Sequence, residues 1–180
     1  MSMNVVLIGY RATGKTTVAR HLALLLSWDW VDADVEVELK AGKSIAAIFA
    51  DDGEQAFRDL ESKVLAELVR RERTIIAAGG GAVMREENRR AIRSAKHVVW
   101  LKAPEEVILE RLAADPTTAE RRPRLSAAGS SAEEVRDLLA KRTPYYYEVA
   151  DLELDTVDRS PDELADRIML HFAIVPGAGS

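Results

Sequence analysis

Gly9-Tyr10-Arg11-Ala12-Thr13-Gly14-Lys15-Thr16 follows directly on the apolar run Val5-Val6-Leu7-Ile8, and these two segments decide the fold. An unbroken run of β-branched and aliphatic residues is how a strand buried on both faces of a parallel sheet reads. Downstream, Val18, Leu22, Leu25 and Leu26 fall on one face of a helix predicted over Lys15 to Leu26. Between strand and helix, Gly-x-x-x-x-Gly-Lys-Thr has the spacing of a loop that cradles phosphate. Glycine at 9 and 14 lets backbone N–H groups turn inward without a Cβ in the way. Lys15 brings a mobile positive charge to the β and γ phosphates, the Thr16 hydroxyl suits Mg²⁺, and the helix points its positive end at the anion. The chain is therefore expected to bind a nucleoside triphosphate.

Further elements follow in alternation. Trp28 to Val31 reads as a second strand running into Asp32-Ala33-Asp34, and Val35 to Lys40 as a short helix stopped at Gly42. Ser44 is placed to cap the next helix, through Ile45, Ile48 and Phe49. Gly53 opens a longer helix to Arg71, with Phe57, Leu60, Val64, Leu65 and Leu68 at helical spacing. Thr74 to Ala78 is a third strand, broken by Gly79-Gly80-Gly81. Glu86 to Ser94 reads as a helix, His97 to Leu101 as a fourth strand, and Pro104 suits the first turn of a helix to Ala113. Residues 114 to 131 have no apolar period, contain Pro116, Pro123 and Gly129, and read as a mobile loop. Ser131 and Glu134 have capping-box spacing at the start of another helix. Asp151 to Asp155 is a last strand, and Ser160-Pro161-Asp162-Glu163 starts a final helix ending near Val175. Alternation of this kind implies an α/β fold: a parallel sheet with helices on both faces and a ligand site at the carboxyl ends of the strands.

Bulk properties agree with one domain. The 180 residues are 47% hydrophobic and 31% charged, and nothing rich in Pro, Gly and Ser divides them before the last five. Residues 1–175 are read as a single domain and 176–180 as a flexible tail. A net charge of −5 argues against gripping nucleic acid or an anionic membrane through a broad basic face. The absence of cysteine excludes disulfides and thiolate metal sites. Met1-Ser2-Met3-Asn4 is not a basic start, and Val5 to Ile8 is too short for a signal peptide or membrane span, so the cytoplasm is the expected compartment. His21, His97 and His171 lack ligand spacing and read as structural or surface residues.

The reaction class follows partly by elimination. No lysine is followed two residues later by aspartate, which disfavours a guanine-reading GTPase. No strand ends in Asp-Glu, which disfavours a motor or ATPase. A kinase remains. Asp32 and Asp34 then have two readings: one acid beside the metal and one orienting an acceptor hydroxyl, or a helix cap with solvated charge. Arg58, four residues after Glu54 and three before Glu61, also has two. It is either part of an exposed, ion-paired helix or a planar fork for a substrate carboxylate, held by Glu61. Gly79-Gly80-Gly81 costs chain entropy and packs nothing, so a close approach of backbone to ligand is the better account.

Taken in order and spacing, these segments resemble the shikimate kinases over almost the whole chain. The likeness is carried by Gly9 to Thr17, Val31-Asp32-Ala33-Asp34, Ser44 to Phe49, Gly53-Glu54, Phe57-Arg58-Asp59-Leu60-Glu61 and Gly79 to Val83. Arg122-Pro123-Arg124-Leu125 and Lys141-Arg142-Thr143-Pro144-Tyr145-Tyr146 complete it. The resemblance implies a five-stranded parallel sheet of the nucleoside monophosphate kinase type, a lid over about 114–131, and transfer of phosphate from ATP to the 3-hydroxyl of shikimate. By position it implies that Asp34 holds the shikimate hydroxyls and acts as base, that Arg58 and Arg142 clamp the carboxylate, and that Gly79, Gly80, Gly81, Phe49 and Phe57 line the pocket. Thr16 and Asp32 match the Mg²⁺ positions. Gly9, Arg11, Ala12, Thr13, Gly14, Lys15, Thr16 and Thr17 match the ATP-binding loop, Arg122 a phosphate contact on the lid, and Arg111 with Arg159 the adenine neighbours. ATP and shikimate are then the expected partners of a monomer. Many relatives have glycine in place of Ala12, a change the loop tolerates if φ there is negative. Arg122 is preferred to Arg121 and Arg124 because Arg-Pro-x-Leu matches. A gluconate kinase of the same architecture would lack the arginine pair, and a nucleotide-binding module without catalysis would not need Lys15, Thr16, Asp32 and Asp34 together.

Overall fold

The computed structural model describes residues 3–114 and 132–175. The expected lid, Arg122, the Ser131 cap and the tail beyond 175 lie outside them. Five strands, β1 (Asn4–Ile8), β2 (Asp29–Asp32), β3 (Thr74–Ala77), β4 (His97–Lys102) and β5 (Leu152–Asp155), form one sheet in the order β2-β3-β1-β4-β5. All pairs are parallel, with Val6 of β1 opposite Ile76 of β3 on one side and Val98 of β4 on the other. Around it lie α1 (Lys15–Leu26), α2 (Ala33–Ala41), α3 (Ile45–Asp51), α4 (Gly53–Leu68), α5 (Glu86–Arg93), α6 (Glu105–Ala114), α7 (Ala132–Val149) and α8 (Pro161–Phe172).

Because successive strand side chains point to opposite faces, the unbroken apolar run of β1 serves two cores. Val6 and Ile8 join Ile76, Val98 and Trp100 against Val37 of α2, Ile48 of α3, Val64 and Leu68 of α4, and Tyr146 of α7. Val5 and Leu7 join Ile75, Val99 and Leu101 against Val18 and Leu22 of α1 and Leu164 and Ile168 of α8. Asn4 locks the start of the sheet: its Nδ2 donates to the Val69 and Arg71 carbonyls at 2.6 and 3.2 Å, and its Oδ1 accepts from the Lys96 amide at 2.9 Å.

Several expected boundaries move. On α1 the buried stripe is Val18, Ala19, Leu22, Ala23 and Leu26, while Leu25 is 39% exposed: the two alanines bring the helix close to the sheet and rotate the stripe away from 25. The long helix α4 ends at Leu68 rather than Arg71, because the Arg71 amide tightens onto the Leu68 carbonyl, three residues back. α8 stops at Phe172, where Ala173 turns left-handed at φ 51° and donates back to Leu170 O. A 3₁₀ turn, Ala82–Met84, follows the glycines, and Pro144 is accommodated inside α7.

Candidate active site

The phosphate loop leaves the carboxyl end of β1, the middle strand. Gly9 has φ +142°, and a Cβ there would stand 2.2 Å from the Leu101 carbonyl oxygen of β4. The neighbouring strand and the positive φ by themselves require glycine at 9. Gly14, at φ +88° with nothing within 4 Å, is needed for conformation alone, as the left-handed residue that opens α1. Ala12 departs from expectation: its φ is +61°, so an L-residue occupies the left-handed region inside the loop. Lys15 curls back so that Nζ donates to the Gly9 and Tyr10 carbonyls at 3.0 and 2.7 Å. The buried Thr13 hydroxyl also donates to Tyr10 O, at 2.8 Å.

Two further arginines brace the flank. Arg111 of α6 donates through Nη1 to Ala12 O at 3.2 Å and Thr156 Oγ1 at 3.0 Å, and through Nη2 to Thr156 O at 3.1 Å. Arg159 Nη1 donates to Asp155 O at 2.6 Å, so both arginines are tied to the turn after β5. Thr17 is exposed and borders an open groove with Arg20, His21, Trp28 and Trp30.

Of the two readings of the acids, the helix cap is directly visible at Asp32. Asp32 Oδ1 accepts from the Asp34 amide at 3.0 Å and caps α2, while Oδ2 accepts from the Thr16 hydroxyl at 2.8 Å. Two hard oxygen donors at the phosphate loop are what Mg²⁺ takes from a protein when nucleotide phosphates and waters complete its shell. The donor set therefore fits the expected metal. Asp34 sits in the first turn of α2, half-buried.

On the acceptor side, Arg58 of α4 donates through Nη1 to Glu61 Oε2 at 2.9 Å and lies 3.4 Å from Glu54 Oε1. Glu61 is 3% exposed, so this pair belongs to the interior rather than to a solvated helix face. The glycines explain why. A Cβ at Gly81 would meet Arg58 Nη1 at 3.1 Å and Arg142 Nη2 at 3.5 Å; one at Gly80 would meet Arg11 N at 3.3 Å, Gly9 O at 3.4 Å and Arg142 Nη1 at 3.6 Å. The glycine segment is thus pressed between the phosphate loop and two converging guanidiniums. The protein's own groups therefore approach this backbone closely. Tyr146 Oη donates to Gly80 O at 2.7 Å and fixes the segment from α7. Phe49 and Phe57 pack ring to ring at 4.8 Å, and Arg58 Cζ lies 5.0 Å from the Phe57 ring centre. Although the chain is acidic overall, Lys15, Arg58, Arg111 and Arg142 gather at this edge, which suits a ligand with several negative charges.

Against known proteins, the shikimate kinase family model matches residues 11–173. The chain belongs to the shikimate kinase family. The shikimate kinase of Rhodopirellula baltica is 45% identical over 163 residues, covering 91% of this chain and 87% of that protein. A structure of shikimate kinase from Acinetobacter baumannii in complex with shikimate superposes with a TM-score of 0.87 at 38% identity, covering 96% of this chain and 94% of the other. Family membership makes the protein a phosphotransferase acting on a hydroxyl group, on a P-loop kinase fold. A gluconokinase from Sinorhizobium meliloti aligns at 16% identity and a TM-score of 0.58, with 95% and 91% of the two chains covered, a likeness of fold alone.

Three residues beside these groups received no role from sequence reading: Tyr10, Tyr146 and Thr156. Each acts through a partner distant in the chain, Arg142, Gly80 and Arg111 respectively, and nothing in local spacing marks such pairs. Among the described residues no helix is long and apolar enough to cross a membrane.

Proposed function

We propose that this site transfers the γ-phosphoryl group of ATP, with Mg²⁺, to the 3-hydroxyl of shikimate, giving shikimate 3-phosphate and ADP. The observation that carries the reading is the convergence of Arg58 and Arg142 on Gly81, beside the phosphate loop. Two guanidiniums backed by a buried glutamate form a fork for a planar carboxylate. A carboxylate anchored there would set the acceptor ring between the glycine segment and the Phe49–Phe57 wall.

Phosphoryl transfer asks mainly for alignment and for positive charge around the migrating group. Asp34 orients the acceptor hydroxyl and takes its proton. Backbone N–H groups of residues 9–16 and the Lys15 ammonium hold the β and γ phosphates, with Thr17 at the loop's end. Thr16 and Asp32 would hold Mg²⁺, which screens phosphate charge when bound. Arg111 and Arg159 flank the adenine, and Arg122 supplies a further phosphate contact on a closing lid over 114–131. The reading includes a monomer working in the cytoplasm, without nucleic acid or membrane as partner.

The test is an ADP-release assay with ATP·Mg²⁺ and shikimate, gluconate or a nucleoside monophosphate. Shikimate alone should support turnover, and its failure would sink the reading. Asp34→Asn should lower kcat by about 10²–10⁴-fold, the usual contribution of a positioned base, while ATP binding persists. An unchanged kcat would remove Asp34 from the mechanism.

A further inference from the structure

Tyr10 is a phosphate-loop residue for which the chemistry above has no use. It is 1% exposed, and its hydroxyl is buried with no hydrogen-bond partner among the described residues. Its ring makes a more telling contact: Arg142 Cζ lies over it, 5.1 Å from the centroid. The face of an aromatic ring attracts a cation within about 6 Å. The same guanidinium reaches the glycine segment, with Nη1 and Nη2 3.6 and 3.5 Å from where Cβ atoms at Gly80 and Gly81 would stand. One side chain of the phosphate loop therefore supports an arginine of the acceptor site.

We infer that Tyr10 is a positioning residue for acceptor recognition: its ring holds the Arg142 guanidinium in the orientation that grips the substrate carboxylate. The inference rests on the reading that Arg142 binds that carboxylate. Bidentate pairing needs the guanidinium and carboxylate planes aligned, and an arginine side chain has several bonds to freeze before it can align. A ring already in contact removes part of that ordering cost before the acceptor arrives. Leu, Met or Phe at position 10 would fill the same apolar space, but only Phe would keep the ring face.

The experiment compares kcat/KM for shikimate with that for its methyl ester, which lacks the anionic oxygen pair, using ADP release by the full chain. The ratio of the two is the readout, because a merely structural defect lowers both alike. The unaltered protein should prefer the acid. Tyr10→Leu should reduce that preference about fivefold, the equivalent of about 1 kcal/mol of cation–π attraction. Tyr10→Phe should keep the ratio. Should Tyr10→Leu not yield folded protein, Tyr10→Met, more flexible and equally free of a ring, carries the same expectation. A ratio unchanged in the ringless variant overturns the inference, and so does a Tyr10→Phe variant that loses as much as Tyr10→Leu. Arg142→Lys separates this outcome from failure of the underlying reading. If the unaltered protein treats acid and ester alike, or Arg142→Lys leaves the ratio intact, the carboxylate clamp itself is wrong. If both behave as expected and Tyr10→Leu does not, only the role of Tyr10 falls.

Discussion

Ala12 holds φ +61° inside the phosphate loop, a conformation in which Cβ crowds the following carbonyl. The loop keeps it there because Arg111 Nη1 donates to the Ala12 carbonyl at 3.2 Å and the Thr13 hydroxyl closes the turn onto Tyr10 O. An L-residue in this region costs about 1–2 kcal/mol, and replacing alanine by glycine loosens the unfolded chain by about 0.4–1 kcal/mol. Ala12→Gly should therefore stabilise the protein by about 0.5–1 kcal/mol, raising Tm by about 1–4 °C at this chain length, as thermal denaturation would show. A lower Tm would mean that the surrounding bonds already absorb the strain.

At the scale of elements, α7 joins two tasks: Arg142 reaches Gly81, and one turn later Tyr146 donates to Gly80 O. Removing that hydroxyl strips a buried carbonyl of a donor, which costs about 1–3 kcal/mol. Tyr146→Phe should lower Tm accordingly and raise KM for shikimate more than KM for ATP, since the freed glycine segment lies against the Arg58–Arg142 pair. Equal changes in the two KM values in an ADP-release assay would refute this division. Much of the element structure was legible beforehand, because caps and turns are local. Ser44 Oγ accepts from the Ala47 amide at 3.2 Å, the cap the sequence predicts, and the helix start predicted at Ser160 is closed by capping-box bonds with Glu163 at 3.2 and 2.7 Å. Boundaries drifted where a tertiary contact intervened, as at Leu25, whose place toward the sheet went to Ala19 and Ala23.

Over the whole molecule, the seam between the start of β4 and the end of α8 carries a pH dependence. The His97 ring lies 4.1 Å from Phe172, and partial burial, reinforced by Lys96 and His171 against the opposing pull of Asp151, lowers its pKa below the ordinary 6.5. With the folded pKa depressed, the unfolded chain binds the proton more readily. Stability from this group is therefore full above about pH 6.5 and falls as pH drops toward and through the folded pKa. Between pH 7.5 and 5.5 the Tm of His97→Gln should decline less than that of the unaltered protein. Parallel declines in thermal denaturation would remove His97 as the cause.

The sequence by itself determined the two-faced apolar strand, the phosphate loop after it, the alternation of strands and helices and the identity of the charged residues. All of these are expressed within a few residues of chain, where periodicity and backbone stereochemistry act. Only the tertiary structure decided why Gly9 must be glycine, since the obstructing carbonyl belongs to Leu101 on another strand. It likewise brought Arg58, one member of a helical ion-pair series, together with Arg142 at Gly81, because those partners come from segments remote in the chain. Burial and convergence are properties of the packed molecule, and a spacing pattern cannot express them.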